Sequence, residues 1–413
     1  MNHSNSILGM PRQIVWGYIG IIIFMMGDGL EIGWLSPWLH GHGFSVQETS
    51  LLFSAYGVTV ALASWLSGVF AEALGGKRTM MLGLTFYIIG TIFFVGFAIP
   101  SQNLALMLPA YALRGLGYPL FAYSFLVWIS YRSEQKTLGA AVGWFWFVFT
   151  GGLNVLGALY SIWAIEYLGH INTLWSSLFW VVLGGFFTLV LNKDKLPSNQ
   201  GSSKEKLKEI LKGITIMKDE PKVLLGGIVR VINTTAQFAF PVFLPIYLSS
   251  FGIPTSKWLA VWSTIFVGNI IFNLIFGIVG DKIGWRNTVM YFGGIGSGIS
   301  VLLMGYVPIW TDGNIVLLTV VGFCWGAFIA AYVPLSALIP SLVKQDKGAA
   351  LSVLNLGAGL PVFVGPMIVY LFIGSIQAIG VIWVLAILYF ISTILTYFIK
   401  MPKHMQSGEH ETA

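Results

Sequence analysis

Two carboxylates three residues apart, Asp28 and Glu31, stand in the otherwise uncharged run WGYIGIIIFMMGDGLEIGWLSPWL. On a helix this spacing puts them on one face. In a poorly hydrated site two carboxylates so close cannot both ionise cheaply, so one is expected to hold a proton. Such a pair can bind and release a proton and can also accept hydrogen bonds from the hydroxyls of a solute. Arg114, in a second apolar run, is placed to pair with one carboxylate and keep it charged, leaving the other free to titrate. Of the six histidines, His3, His404 and His410 lie near the termini and His40, His42 and His170 in or near connecting loops. A proton carrier inside the apolar runs therefore has to be a carboxylate.

Further polar groups are embedded in apolar surroundings. Arg230, Asn233 and Gln237 recur at i, i+3 and i+7, Asn269 and Asn273 at i and i+4, and Asn154 and Asn355 stand singly. Tyr111 and Tyr118 flank Arg114, and Trp325 and Tyr332 are seven apart. Amides and carboxylates can each bind neighbouring hydroxyls, and aromatic rings can cover C–H faces, which is the lining a neutral hydroxyl-rich solute needs. Arg230 lies only about two turns into its run, where a purely structural, snorkelling role is equally open.

The elements that hold these residues must be membrane helices. Of 413 residues 56% are hydrophobic and 9% charged, against about 25% charged in soluble domains, and the mean hydropathy is +0.81. This excludes a soluble enzyme and a disordered chain. The formal charge of +6 does not point to nucleic acid, because no Lys or Arg occurs from 13 to 76 and no charge of either sign from 79 to 113 or 348 to 399. Charges and Gly, Pro and Asn breaks divide the chain into twelve runs of the roughly 20 residues that a bilayer requires. Helices 1–6 are expected at 14–40, 46–71, 79–99, 103–130, 138–165 and 171–191, and helices 7–12 at 222–250, 256–280, 287–308, 313–343, 348–373 and 376–399.

Residues 1–191 thus form one six-helix bundle and 222–400 a second, followed by a tail at 401–413. The segment 192–221 is a charged linker in which Leu207, Ile210, Leu211 and Ile214 fall at the spacing of an amphipathic surface helix. With both termini cytoplasmic, 19 of the 22 Lys and Arg fall on the cytoplasmic side, as the positive-inside bias requires. The single cysteine, Cys324, is expected to pack as a small buried hydrophobe. The first apolar run lacks the basic region and small-residue cleavage site of a removable signal and reads as a retained helix.

A polar turn repeats at half-chain spacing. Gly68, Glu72, Gly75, Lys77 and Arg78 follow helix 2, and Gly277, Asp281, Gly284 and Arg286 follow helix 8, the leading glycines standing 209 residues apart. Gly68 and Gly277 would let helices approach closely, Gly75 and Gly284 would permit the reversal, and the cations would anchor the next helix at an anionic leaflet. The same offset maps Asp28 onto Gln237. These turns resemble the loop signature of the major facilitator superfamily, departing from it in having Glu72 where Asp is usual and Ala73 where a base is common.

Helix 1, together with YALRGLGYPLFAYSFLVW of helix 4 and GWFWFVFTGGLNVLG of helix 5, resembles the polyol permease branch of that superfamily. The resemblance implies an all-α membrane protein with two pseudo-symmetric six-helix bundles around a central cavity. It also implies uptake of ribitol, D-arabinitol or a related acyclic sugar alcohol with a proton, no cofactor or metal, and a monomer in a bacterial inner membrane. Binding and coupling roles carry over to Asp28, Glu31 and Arg114, and a gating role to the two turns. Helix 5 lacks the Gly-Pro-x-x-Gly-Gly run of drug/proton antiporters, which favours uptake over efflux. The alternative is a symporter of organic anions, with Arg114 and Arg230 grasping a carboxylate, against which the acidic pair argues. No H-E-x-x-H, G-x-S-x-G or metal-spaced His/Cys cluster suggests an enzyme.

Overall fold

The computed structural model describes residues 6–134, 137–192, 215–343 and 347–399. The amphipathic helix expected in the linker and the tail at 401–413 lie outside the described residues, as do the side chains of Glu72 and Asp281. A short β-hairpin pairs Ser6–Ile7 with Met10–Pro11 ahead of the first helix.

Nine helices among the described residues are long and apolar enough to cross a membrane. They account for helices 2–9 and for one element, Pro361–Phe398, that contains both helix 11 and helix 12. A turn at Gln377 (φ 58°, ψ −175°) separates those two. Helices 1 and 10 complete the twelve but are broken. Helix 1 runs through Val15–Gly29 and resumes as Leu35–Gly41. Helix 10 runs through Ile315–Ala330 and resumes as Leu335–Ser341. Twelve passes are therefore present, as the apolar runs predict, although helix 1 is not the continuous helix that the Asp28/Glu31 spacing assumed.

Local chemistry explains the ends. Ser45 caps helix 2, accepting from the Glu48 backbone N–H (3.2 Å) while the Glu48 carboxylate accepts from its own (2.8 Å), a reciprocal capping box. Asn103 and Asn314 cap helices 4 and 10 by accepting one backbone N–H each, from Ala105 and Leu317. Gly75 and Gly284 take φ of 89° and 91° at the turns after helices 2 and 8, a region open to glycine at no steric cost.

The 209-residue repeat also has side-chain content. Lys77 Nζ donates to the carbonyl oxygens of Leu189 (3.1 Å) and Asn192 at the end of helix 6, and Arg286, its equivalent, covers the ring of Tyr397 near the end of helix 12 at 5.8 Å. Arg78 is exposed. One expectation fails here: among the described residues no neighbouring atom lies within 4 Å of a Cβ built on Gly68 or Gly277, so neither serves a close approach between them.

The close approaches lie deeper in the fold. A Cβ on Gly29 would stand 1.9 Å from the Leu153 carbonyl oxygen on helix 5, and one on Gly326 of helix 10 would stand 1.8 Å from that of Ile265 on helix 8. Within the first half helix 1 packs on helices 5 and 6 and helix 2 on helix 4; in the second, helix 7 packs on helix 11 and helix 8 on helix 10. The halves meet where helix 2 lies on helix 11 and helix 5 on helix 8. Gly57 abuts Val362 at the first contact, and Ser263 Oγ donates to the Val155 carbonyl oxygen (3.3 Å) at the second. Ser36 Oγ donates to the Val242 carbonyl oxygen (2.5 Å), tying the end of helix 1 to helix 7.

Large apolar side chains such as Phe97, Phe179 and Leu274 are exposed around the outside, the pattern of a surface that meets lipid rather than water. Cys324 is exposed too, which corrects the expectation of burial: it lies on a stretch of helix 10 where Val316, Leu317 and Val320 are also exposed, and burial in lipid serves a small apolar side chain as well as burial in protein.

Replacing Gly29 or Gly326 by Ala forces two backbones apart, and overpacking of this kind removes about 1–3 kcal/mol of stability. Both variants are expected to melt lower than the parent in detergent, whereas Gly139→Ala, with nothing within 4 Å of the new methyl group, is expected to melt no lower. Unchanged melting of Gly29→Ala would show that helices 1 and 5 are not held at that separation.

Candidate functional site

Helix 1 opens where the chemistry is. Residues 30–34 form turns rather than helix, and Gly33 takes φ of 91°. The freed Leu30 carbonyl oxygen accepts from Trp34 Nε1 (2.5 Å) and from Ser161 Oγ on helix 5. Glu31 sits inside this break with only 3% of its surface exposed. Its carboxylate receives the Arg114 guanidinium and, at 2.6 Å, the Tyr111 hydroxyl. Arg114 is fully buried, and its other amino group donates to the Tyr87 hydroxyl, which in turn donates to the Gly27 carbonyl oxygen (3.2 Å). The guanidinium carbon lies 4.5 Å from the centre of the Tyr87 ring, within cation–π range. Arg114 thereby pins helix 4 to the broken helix 1 and, through Tyr87, to helix 3.

Asp28 has different company. It is 4% exposed and accepts a long hydrogen bond, 3.3 Å, from the Tyr56 hydroxyl of helix 2. Glu31 and Arg114 form the only ion pair among the described residues. The three groups carry a formal charge of −1 when all are ionised, and Asp28 is the one without a cation in contact. A buried charge in this position is expensive unless it meets water, a solute or a proton.

Both carboxylates border a cavity of ≈ 580 Å³, partly open to solvent, that lies between the two halves. Tyr56, Tyr111, Tyr118 and Asn154 line it from the first half and Gln237 from the second, with Phe53, Phe238, Pro241, Trp262, Val362 and Pro366 as apolar wall. Asp28, Glu31, Tyr118, Asn154 and Gln237 are thus where the sequence places them, and Arg114 stands directly behind Glu31.

Six other candidates do not line this cavity. Asn233, 3% exposed, donates its amide to the Ile329 carbonyl oxygen (3.1 Å) and accepts from Arg230 (2.9 Å), so Arg230 is held by an amide. Asn269 donates to the Gly326 carbonyl oxygen (3.2 Å) and Asn273 to Asn269, joining helix 8 to helix 10. Trp325 is buried against Phe240, and the Tyr332 hydroxyl shares a hydrogen bond with Ser392 (2.7 Å). Asn355 is exposed. In five of these the polar group or ring serves packing inside the second half, a role that sequence spacing does not separate from binding. Sequence spacing does not single out Tyr56, Tyr87, Phe53 and Trp262, because the charges of their helices lie near the helix ends and none stands beside these residues. The spacing Trp258, Trp262, Phe266 on helix 8 was the available signal, and it reads equally as core.

Two helical bundles that enclose a polar cavity with buried charges at the depth of the bilayer are the architecture of a solute transporter. The family model of the Major Facilitator Superfamily matches residues 17–268 and 228–412, and the chain belongs to that superfamily, within its polyol permease family. It is 54% identical over 396 residues to an alpha-ketoglutarate permease of Bacillus subtilis (strain 168), covering 96% of this chain and 91% of that protein. It is 36% identical over 410 residues to a D-arabinitol transporter of Klebsiella pneumoniae, covering 98% of this chain and 96% of that protein. Its fold matches the crystal structure of a D-xylose-proton symporter with a TM-score of 0.73 at 13% identity, over 94% of this chain and 97% of that one. The chain is a transporter and not an enzyme.

Removing one partner of a buried ion pair leaves the other uncompensated, a loss of about 3–5 kcal/mol. Arg114→Leu is expected to lower the melting temperature in detergent strongly, and Glu31→Gln introduced into that variant to restore much of it. If the second substitution brings no recovery, the pair does not carry the energetic role assigned to it.

Proposed function

We propose that the chain imports an acyclic sugar alcohol, a pentitol such as ribitol or D-arabinitol, in symport with a proton by alternating access. The observation that carries this reading is the occupation of Arg114. Its two amino groups are engaged by Glu31 and Tyr87, and although its Nε–H has no partner, the side chain has no surface exposed and does not line the cavity, so it is not presented to a cargo. The cavity presents carboxylates, phenols and amides, groups that hold vicinal hydroxyls. The relatives named as D-arabinitol and ribitol transporters, 36% and 35% identical, fit the same cargo.

In the proposed cycle Asp28 takes a proton from outside as the solute binds beside it. Protonation removes the one carboxylate charge that has no cation, so the loaded cavity is electrically balanced and the bundles can rock about it. Release to the cytoplasm returns Asp28 to its charged form. Glu31 and Arg114 act as the fixed pair that sets the local field, while the turns at Gly68–Arg78 and Gly277–Arg286 gate the inner side. The setting is a bacterial inner membrane with both termini cytoplasmic, and one chain supplies the whole cavity, which suits a monomer.

A second reading has a specific observation in its favour, the 54% identity to a protein named as an alpha-ketoglutarate permease. In that case protonation of Glu31 frees Arg114 for a cargo carboxylate. Uptake into proteoliposomes with an imposed pH gradient separates the readings by offering labelled ribitol, D-arabinitol and alpha-ketoglutarate to the same preparation.

Asp28→Asn, which fixes the group in a neutral form, is expected to abolish accumulation of pentitol against its gradient while preserving exchange of pentitol across the membrane. Uphill accumulation that survives this substitution removes Asp28 from the coupling step.

A further inference from the structure

Two residues on the cavity wall hold buried polar atoms that nothing satisfies. The side-chain oxygen of Asn154 and the indole N–H of Trp262 are both sealed from solvent and without a hydrogen-bond partner. Both residues line the cavity that Asp28 and Glu31 border. They are 2% and 0% exposed, so each sits in a site where an unmade hydrogen bond is costly. They belong to opposite halves, Asn154 to helix 5 and Trp262 to helix 8, and their chain neighbours are bonded to each other: Ser263 Oγ donates to the Val155 carbonyl oxygen at 3.3 Å. That bond joins helices 5 and 8 at the residues that follow Asn154 and Trp262 in the chain.

The chemistries of the two atoms are complementary. An amide oxygen only accepts and an indole N–H only donates. A single hydroxyl does both: it can donate a hydrogen bond to Asn154 Oδ1 and accept one from Trp262 Nε1. A carboxylate can accept a hydrogen bond from the indole N–H, but it has none to donate and would set a negative charge against the amide oxygen. We propose that Asn154 and Trp262 form a donor–acceptor clamp that reads one hydroxyl of the cargo and selects polyols over carboxylates. The inference rests on the pentitol reading above and assigns its selectivity to two named atoms. Because the clamp has one jaw in each half, the bound hydroxyl also bridges the halves at the contact between helices 5 and 8.

The clamp predicts an interaction between cargo and residue that a structural role does not produce. Competition against labelled pentitol uptake is measured with a series of pentitols each lacking one hydroxyl. In the parent protein one member of the series is expected to bind about tenfold more weakly than the intact polyol, because two hydrogen bonds are lost and two buried groups stay unpaired. Trp262→Phe, which keeps the ring and removes the N–H, and Asn154→Leu are each expected to raise the KM for the intact pentitol about fivefold while leaving the maximal rate near that of the parent. In the double variant that same deoxy compound competes as well as the intact polyol.

The series on the parent protein needs no substitution, so it tests the clamp even where a variant fails to fold. A parent that transports pentitols and shows no deoxy compound with such a loss overturns the clamp alone, as does Trp262→Phe with unchanged KM. Uptake of alpha-ketoglutarate with none of any pentitol overturns the clamp together with the pentitol reading.

Discussion

The structure depends on one contact, the buried pairing of Glu31 with Arg114. A guanidinium sealed at the depth of the bilayer has to meet a fixed counter-charge, and Glu31 supplies it from a segment of helix 1 that is not helical. Tyr111 and Tyr87 extend the cluster, one donating to the carboxylate and the other accepting from the guanidinium. Helices 1, 3 and 4 are tied together by that single cluster. Since one cation answers one of two carboxylates, the arrangement also defines what is left over. Asp28 borders the cavity with only a neutral phenol at 3.3 Å, and the property of the site most open to change by a proton or a solute resides there.

The break in helix 1 is what allows the pair to form. Had Val15–Gly29 continued unbroken, Leu30 would have kept its carbonyl within the helical ladder. Instead that oxygen accepts from Trp34 and Ser161, so the unwound backbone is satisfied by neighbours, as nonhelical segments at membrane depth must be. Gly29 brings helix 1 against the helix 5 backbone just before the break, and the turn conformation of Gly33 follows it. Glycine at these positions positions the carboxylate without taking part in its chemistry.

How legible this was in the sequence depended on the cost of the feature. Charges in oil are expensive, so Asp28, Glu31 and Arg114 stood out and lie at one site. Glycines with positive φ were legible at Gly75 and Gly284 because a half-chain repeat isolated them, while the same repeat misled at Gly68 and Gly277, whose surroundings are open. Amides were the weak signal. In a bilayer an asparagine serves equally well to bond a neighbouring helix, as Asn269 does to Gly326, and to bind a solute, as its placement allows Asn154 to do. Uncharged aromatics were weaker still, since Tyr56 and Trp262 carry their polar atoms on residues that mostly fill space. The break at residues 30–34 was hidden because Leu30, Ile32 and Leu35 keep the apolar character of a helix across it.

The two halves share a fold and divide the chemistry. The offset of 209 residues that relates Lys77 to Arg286 also relates Asp28 to Gln237, and both members of this second pair line the cavity. The side chains are close in size and polarity, but one can ionise and the other cannot. A cavity with a carboxylate at both positions would need a second cation or a second proton to close, because like charges facing each other across a low-dielectric space repel strongly. With an amide in the second half, one neutralisation event is enough to balance the site, and Gln237 still offers hydrogen-bonding groups to the cavity from that side. The asymmetry between the repeats is therefore tied to the charge balance set by Glu31 and Arg114: one ion pair fixed in the first half, one carboxylate left to respond, and a partner half whose contribution is hydrogen bonding alone.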